Sequence, residues 1–303
     1  MSGTMQSLGR KIDSAGDLEG VVRAMKALAA SSIGQYERAV ESLDDYYRTV
    51  ELGLSVCLRK AGPAMHPTGK RFKDGAPVAA VVFGSDQGLV GRFNEVVVDF
   101  AANKLTKLPG PKRIIWAVGE RAQSLLTDTG LAPVTLLEVP TSVESITPFV
   151  GETVIEIEAA REQNDVVEVY LFHNHPKSGA GYEPVCKHLL PLDQTWQKKT
   201  AALPWPTKNL PQVIEGPAPA LESFIRGYLF VLLFQACAES LNSENASRLA
   251  AMQRAEKNIK DILEDLNRKF NSVRQESIDE ELFDVVSGFE ALMGKRKQQS
   301  GRT

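Results

Sequence analysis

Cysteine is scarce: Cys57, Cys186 and Cys237 are widely spaced and form no C-x-x-C pair. That excludes a disulfide framework and a cysteine-built zinc motif, and it fits buried, reduced thiols in a cytoplasmic protein. The opening MSGTMQSLGR holds no apolar h-region and does not resemble an Arg/Ser-rich transit peptide. The most apolar run, Tyr228–Ala238 (YLFVLLFQACA), falls far short of the ~20 residues that span a bilayer. The chain therefore reads as soluble, though able to dock on a membrane complex. Net charge is only −3, so nothing global points to nucleic acid or anionic lipid as a partner. No internal repeat or low-complexity tract appears. What is present, 43% apolar and 24% charged residues in 303, suits one large or two modest globular domains.

The two ends of the chain look alike. From Val22 the apolar or small positions are Val22, Met25, Ala29, Ser32, Tyr36, Ala39, Leu43, Tyr46, Val50, Gly53 and Cys57. Steps alternating three and four describe the seam of a helix packed along one partner helix. Ala29, Ser32, Ala39 and Gly53 would let that partner come close, while Gly16, Gly20 and Gly34 weaken the helix and predict a bend before Val22. At the other end Pro217 and Pro219 suit a helix start. Leu221, Ile225, Tyr228 and Leu232 follow, then Met252, Ala255, Ile259, Ile262, Leu266, Phe270 and Val273, and finally Ile278, Leu282, Val285, Phe289 and Leu292. No proline interrupts Leu221–Gly294, a helix of roughly 110 Å at 1.5 Å per residue. Such a helix must leave its own domain, and the N-terminal helix with the matching seam is its cover. The ends are thus expected to form an antiparallel two-helix coiled coil.

The middle reads as α/β. Val78–Phe83 (VAAVVF) is the continuous apolar run of a buried parallel strand. Asn94–Leu105 is amphipathic, Arg113–Val118 a second strand, Glu120–Thr129 helical and Thr135–Val139 a third strand. Ile146–Asn164 is helical again, and Val166–Phe172 is a further strand. This alternation predicts a mostly parallel, Rossmann-like sheet with helices on its faces. The expected division is 1–61 (coiled-coil helix), 62–216 (globular α/β), 217–294 (coiled-coil helix) and 295–303 (basic tail).

Four segments suggest chemistry. Gly84–Gly91 (GSDQGLVG) follows a strand and precedes a helix, where a phosphate loop would sit, yet it matches neither G-x-G-x-x-G nor G-x-x-x-x-G-K-[ST]. Gly69-Lys70 fails too: Ala64 stands where the second pattern needs Gly, and Arg71 where it needs Ser or Thr. No nucleotide or other cofactor is expected; Gly84, Asp86, Gly88 and Gly91 read as a tight structural turn. His173-Asn174-His175-Pro176 puts two imidazoles on one side of a strand end, where they could hold zinc. The segment resembles the HxHP of JAMM-type metallopeptidases, but Ser178 is followed by Gly179, Ala180 and Gly181, so that family's S-x-x-D aspartate is missing. His188 does not restore the pattern. The expectation is a polar hairpin tip without metal. Lys295, Arg296, Lys297 and Arg302 form an ordinary solvated helix end rather than a nucleic-acid tail.

Five further stretches, spread from end to end, do carry a family. Ser243-Glu244-Asn245-Ala246-Ser247-Arg248-Leu249-Ala250-Ala251-Met252 resembles the S-E-x-x-x-R-x-x-A-M of the gamma subunit of F-type ATP synthases. Asn271-Ser-Val-Arg274-Gln275-Glu-Ser-Ile278, Glu281-Leu282 and Val286-Ser287-Gly288 match its N-x-x-R-Q-x-x-I-T-x-E-L and V-S-G in order and spacing. Arg23–Ser31 (RAMKALAAS) is similar to K-A-M-x-x-V-A-A-S, Ser85–Asn94 (SDQGLVGRFN) to S-D-R-G-L-C-G-G-L-N, and Leu189-Leu190-Pro191-Leu192 also recurs there. Gln87, Val90, Arg92 and Asp279 depart from the pattern, a divergence that fits an alternative-operon synthase. No long insertion with a cysteine pair is present, so the light-linked thiol control of chloroplast gamma subunits is not implied.

The resemblance implies a rotor without chemistry of its own. Its coiled coil would stand in the ring of alternating alpha and beta subunits, and its globular base would sit with epsilon on the membrane ring of c subunits. That places it on the cytoplasmic side of a bacterial or archaeal membrane. Arg274, Gln275 and Glu281 would then touch the beta subunits near the upper end. Met25 and Lys26 would lie where the N-terminal helix leaves the ring, with Arg248 beside them. The competing readings are a zinc metallohydrolase using His173 and His175, and a stand-alone coiled-coil adaptor.

Overall fold

The computed structural model describes residues 2–61, 76–108, 112–164, 166–177, 181–209, 211–214 and 216–300. Gly69-Lys70, with Ala64 and Arg71, lies outside these residues, as does the Ser178–Ala180 stretch after the two histidines. The elements run α1 (Ser2–Glu41), α2 (Asp44–Ala61), β1 (Val78–Phe83), α3 (Phe93–Leu105), β2 (Arg113–Val118) and α4 (Glu120–Asp128). They continue with β3 (Thr135–Leu137), α5 (Val143–Gln163), β4 (Glu168–Pro176), β5 (Tyr182–Leu190), α6 (Gln194–Ala201) and α7 (Pro217–Ser300). Two compact units result: Leu28–Ala251, and Met1–Ala27 with Met252–Thr303.

In the first unit the five strands are ordered β3-β2-β1-β4-β5. β1 pairs in parallel with β2 and β4, and β2 in parallel with β3; β4 and β5 are antiparallel. The sheet is buried on both faces, which is why β1 is an unbroken apolar run rather than an alternating one. Ala79, Val81 and Phe83 face Ile146, Val150 and Ile157 of α5 and Leu54 of α2, in a core that also takes in Leu229 and Leu233 of α7. Val78, Ala80 and Val82 face the other way, onto Val97, Ala101 and Leu105 of α3 and Leu126 of α4.

Three features differ from the sequence expectation. The N-terminal helix is not interrupted before Val22; α1 continues through Gly16 and Gly20, and the helix breaks at Ser42-Leu43 instead. There the Ser42 hydroxyl donates to Ala39 O at 2.8 Å, and Leu43 N donates to Val40 O, one residue short of helical spacing. Asp44 and Asp45 then open α2, where negative charge complements the helix dipole. The strand β5 and helix α6 were not anticipated: Tyr182–Leu190 contains Pro184 and Lys187 and lacks the apolar run of β1, because it is an edge strand. Finally, α7 does not stop at Gly294 but runs on to Ser300.

The expected N-terminal seam is visible in burial. Ala29, Tyr36, Ala39, Val50 and Cys57 are buried, and of the remaining seam positions only Tyr46 is exposed. A Cβ at Gly53 would lie 2.2 Å from the Phe224 ring, so a glycine is what lets α2 approach α7 there. Helix α7 is long and apolar enough by length and composition to cross a membrane, but its most apolar run, Tyr228–Ala238, is spent on this core: Leu229, Val231, Leu233, Ala236, Cys237 and Ala238 are buried.

In the second unit α1 and α7 run antiparallel. Lys26 Nζ lies 2.5 Å from Glu256 Oε2, and Ser7, Ala15 and Leu18 line one groove together with Ile259, Ile262 and Leu266.

Candidate functional site

The β1–α3 turn is held by its own side chains. Asn94 Oδ1 accepts from Ser85 N at 2.9 Å, and Asn94 Nδ2 donates to Ser85 Oγ at 2.8 Å. Asp86 Oδ1 accepts from Glu120 N at 3.2 Å, and Ser85 O from Arg121 N at 3.0 Å. A Cβ on Gly84 would lie 2.4 Å from Ala122 Cβ; Gly91 has φ +57°, and Gly88 faces open space. The amides of Ser85 and Glu120 are thus engaged by side chains of the turn itself.

This turn meets α7 through a buried polar stretch. Glu239, Ser240, Asn242, Ser243, Glu244, Asn245 and Ser247 are all buried, although they lie on one helix in a single run. Buried polar groups of this kind are tolerated only when hydrogen-bonded. Ser247 Oγ donates to Val90 O at 2.5 Å, and Ser243 Oγ to Asn174 O at 3.0 Å. Asn174 Nδ2 in turn donates to Phe93 O at 2.9 Å. The Ser85–Asn94 and Ser243–Met252 stretches, 150 residues apart in sequence, are therefore one structural feature. Arg248 belongs to it: its guanidinium donates to Glu244 Oε1 at 2.5 Å and to Asn245 Oδ1 at 3.4 Å. Burial pushes the Glu244 carboxyl above its ordinary range, and the Arg248 charge opposes that shift.

The expectation of a polar hairpin tip at His173-Asn174-His175-Pro176 needs correction. The segment is part of β4, paired with Glu183, Val185 and their neighbours in β5, and His173 is fully buried. Strand alternation turns Asn174 toward α3 and both imidazoles toward α7. There Glu239 Oε2 lies 2.8 Å from His173 Nε2 and 2.9 Å from His175 Nδ1. Gln235 Nε2 donates to Glu239 Oε1 at 2.7 Å, and Lys187 Nζ donates to Gln235 Oε1 at 3.4 Å. Burial acts to raise the Glu239 carboxyl, but hydrogen bonds from the two imidazoles and the Lys187 charge together hold it at about 2. Burial likewise lowers the His173 imidazole and the Lys187 amine. His173, His175 and Glu239 each offer one metal-ligating atom, all within 4.8 Å of one another. Sequence reasoning found the histidines and missed Glu239. Its signal was a carboxylate closing an eleven-residue apolar run, Tyr228–Ala238, but nothing in the sequence says which strand that face of the helix meets.

The remaining candidate residues lie in the helix pair. Met25 is half-buried, and Lys26 is bonded to Glu256, which also lies 3.3 Å from Lys260. Arg274, Gln275 and Glu281 are exposed along α7.

The first unit is thus a five-stranded, mostly parallel α/β fold, and the second an antiparallel pair of long helices. The rotor of the Euglena gracilis mitochondrial ATP synthase in rotational state 1 superposes with a TM-score of 0.63 at 16% identity, covering 92% of this chain and 100% of that one. A chain of the OSCP/F1/c-ring assembly from the same organism in rotational state 3 gives 0.67 at 15% identity, over 98% and 97%. The family model described as ATP synthase matches residues 4–292, and the chain belongs to that family, as a gamma-type, non-catalytic member. Similar relatives are the ATP synthase gamma chains of Lachnoclostridium phytofermentans and Desulforapulum autotrophicum. They are 27% and 29% identical over 304 and 306 residues, each alignment covering 95% of this chain and 99% of the relative. The metallohydrolase and adaptor readings find no support in these comparisons.

Proposed function

We propose that the chain is the central rotor stalk of an F1Fo ATP synthase, turned by the c-ring and driving the catalytic sites of an alpha/beta ring through their states in sequence. The observation that carries this reading is the unfinished end of α7. Near that end Leu282, Phe283, Val285, Val286 and Phe289 are exposed, between 48% and 74%. A helix apolar on several sides is one that a surrounding structure covers. The bore of a subunit ring is such a cover, and an asymmetric shaft turning in it presents a different face to each catalytic subunit. In that way it can bias their conformations by differential contact.

On this reading Arg274, Gln275 and Glu281 contact the beta subunits near the shaft's end, and Met25, Lys26 and Arg248 lie at the ring's lower opening. The globular unit sits with epsilon on the c-ring, on the cytoplasmic side of a bacterial or archaeal membrane. Residues 1–61 and 217–294 act as the coiled-coil arms, 62–216 as the base and 295–303 as a basic end. A Met25→Lys variant adds a cation at the opening, and ATP-driven ion pumping falls while the chain's own stability is unchanged. The deciding experiment is native mass spectrometry of the tagged chain expressed with its genomic neighbours. A mass of three alpha, three beta and one copy of this chain, with ATPase activity, is expected; recovery of the chain alone overturns the reading.

A further inference from the structure

Nothing in the rotor role uses the His173–His175–Glu239 cluster, yet its donors converge from two elements far apart in sequence. We propose that these three residues form a zinc site that clasps the β4–β5 hairpin to helix α7. A zinc ion bonded at about 2.0–2.1 Å to nitrogen and oxygen in a tetrahedron sets its ligand atoms about 3.3 Å apart. The two imidazole nitrogens lie 2.8 and 2.9 Å from Glu239 Oε2, and all three atoms lie within 4.8 Å of one another, so an ion entering between them moves the carboxylate outward and draws the imidazoles together. Two imidazoles and one carboxylate suit zinc, whereas calcium and magnesium take oxygen ligands. The second carboxylate oxygen is held by Gln235 Nε2 at 2.7 Å, which fixes the orientation of Oε2 as an outer-shell partner does in metal sites. The site also has an entrance: His175 is 45% exposed at its side chain, while His173 and Glu239 are buried at 0% and 6%. A water can enter on that side as the fourth ligand. Lys187, hydrogen-bonded to Gln235, brings a like charge near the ion and weakens the site without blocking it.

The test uses the full-length chain with its affinity tag removed, stripped with chelator and titrated with zinc or cobalt(II) chloride. One equivalent is expected to bind, cobalt(II) giving the visible absorption of a low-coordinate site. Zinc should raise the unfolding midpoint, because binding requires the folded hairpin–helix geometry. Even outer-shell losses cost about 10–100-fold in affinity, so Gln235→Ala should fall in that range and Glu239→Gln or His175→Ala beyond it. Lys187→Gln should tighten binding several-fold, an effect that a mere charge cluster would not give. His175→Ala keeps the test decisive if Glu239→Gln misfolds, since its side chain is half exposed, and circular dichroism of the metal-free proteins checks their folding. Absence of stoichiometric binding by the wild-type chain overturns the proposal. So does binding that survives both Glu239→Gln and His175→Ala, which would place the metal elsewhere.

Discussion

The two units of this chain are built to opposite standards. In Leu28–Ala251 whole strands are buried, and buried polar side chains such as Asn94, Ser243 and Ser247 are hydrogen-bonded. In the helix pair only Ala15 and Met252 are buried among the described residues, and large apolar side chains such as Leu18, Val21, Ile262 and Phe283 stay exposed. The first unit carries its own core. The second is a narrow seam of half-buried side chains beside exposed apolar ones. A helix pair of this kind can be stiff without being self-sufficient, because continuous backbone hydrogen bonding supplies stiffness and side-chain burial supplies stability.

The sharpest way to break this contrast is to truncate one large side chain in each unit. Trp116 lies in the middle of the sheet at 2% exposure, and Trp116→Ala should cost about 4 kcal/mol by transfer and cavity effects. Ile262 is 53% exposed in the helix pair, and Ile262→Ala should fall within about 0.5 kcal/mol of wild type. Urea denaturation of the isolated chain measures both; comparable losses would mean that the helix pair has a core after all.

Next in size is Arg248. Its partner Glu244 is buried, so Arg248→Ala leaves a carboxylate without its cation and should cost about 3 kcal/mol. Replacing both residues together by apolar ones of similar size should recover much of the loss, since the pair itself contributes little beyond mutual compensation. If the double variant is no more stable than Arg248→Ala, Glu244 has other partners that matter more.

The same contrast decides what the sequence could reveal. Burial on both faces makes β1 apolar throughout and β2 apolar after Arg113, and the three–four spacing of Val22–Cys57 marks its helix face, so both were legible. An edge strand such as β5 has no such signature, and the break at Ser42-Leu43 falls inside a seam whose spacing never slips. The polar residues of α7 were recognisable as a motif, but their role was not. Ser243 and Ser247 make sense only beside Asn174 O and Val90 O, which no periodicity brings together. Glu239 was invisible for the same reason.

The exposed end of α7 gives the third prediction. Phe283→Ser and Phe289→Ser together should leave the isolated chain's unfolding midpoint unchanged, because neither ring is covered within the chain. Affinity for the alpha/beta ring should nevertheless fall by about tenfold, or about 1.4 kcal/mol, when reconstitution is titrated. A drop in the isolated chain's stability, with reconstitution intact, would mean that this end packs on the chain itself.

The smallest effect is expected at Lys26, and the reason separates the two units again. Lys26 and Glu256 approach to 2.5 Å, as closely as Arg248 and Glu244 do, so geometry alone would rank the two ion pairs together. Their surroundings differ. The Lys26 side chain is 32% exposed, and Glu256 keeps a second cation, Lys260, at 3.3 Å. Removing Lys26 therefore strands no charge: water and Lys260 take over its role, and the entropy of a long side chain is regained. Lys26→Ala should give no resolvable change in the unfolding midpoint at physiological salt, and at most a slight loss at low ionic strength, where screening is weaker. A clear, salt-independent loss would show that the seam excludes water at this point. It would also mean that the helix pair resembles the α/β unit more closely than the burial of its side chains indicates.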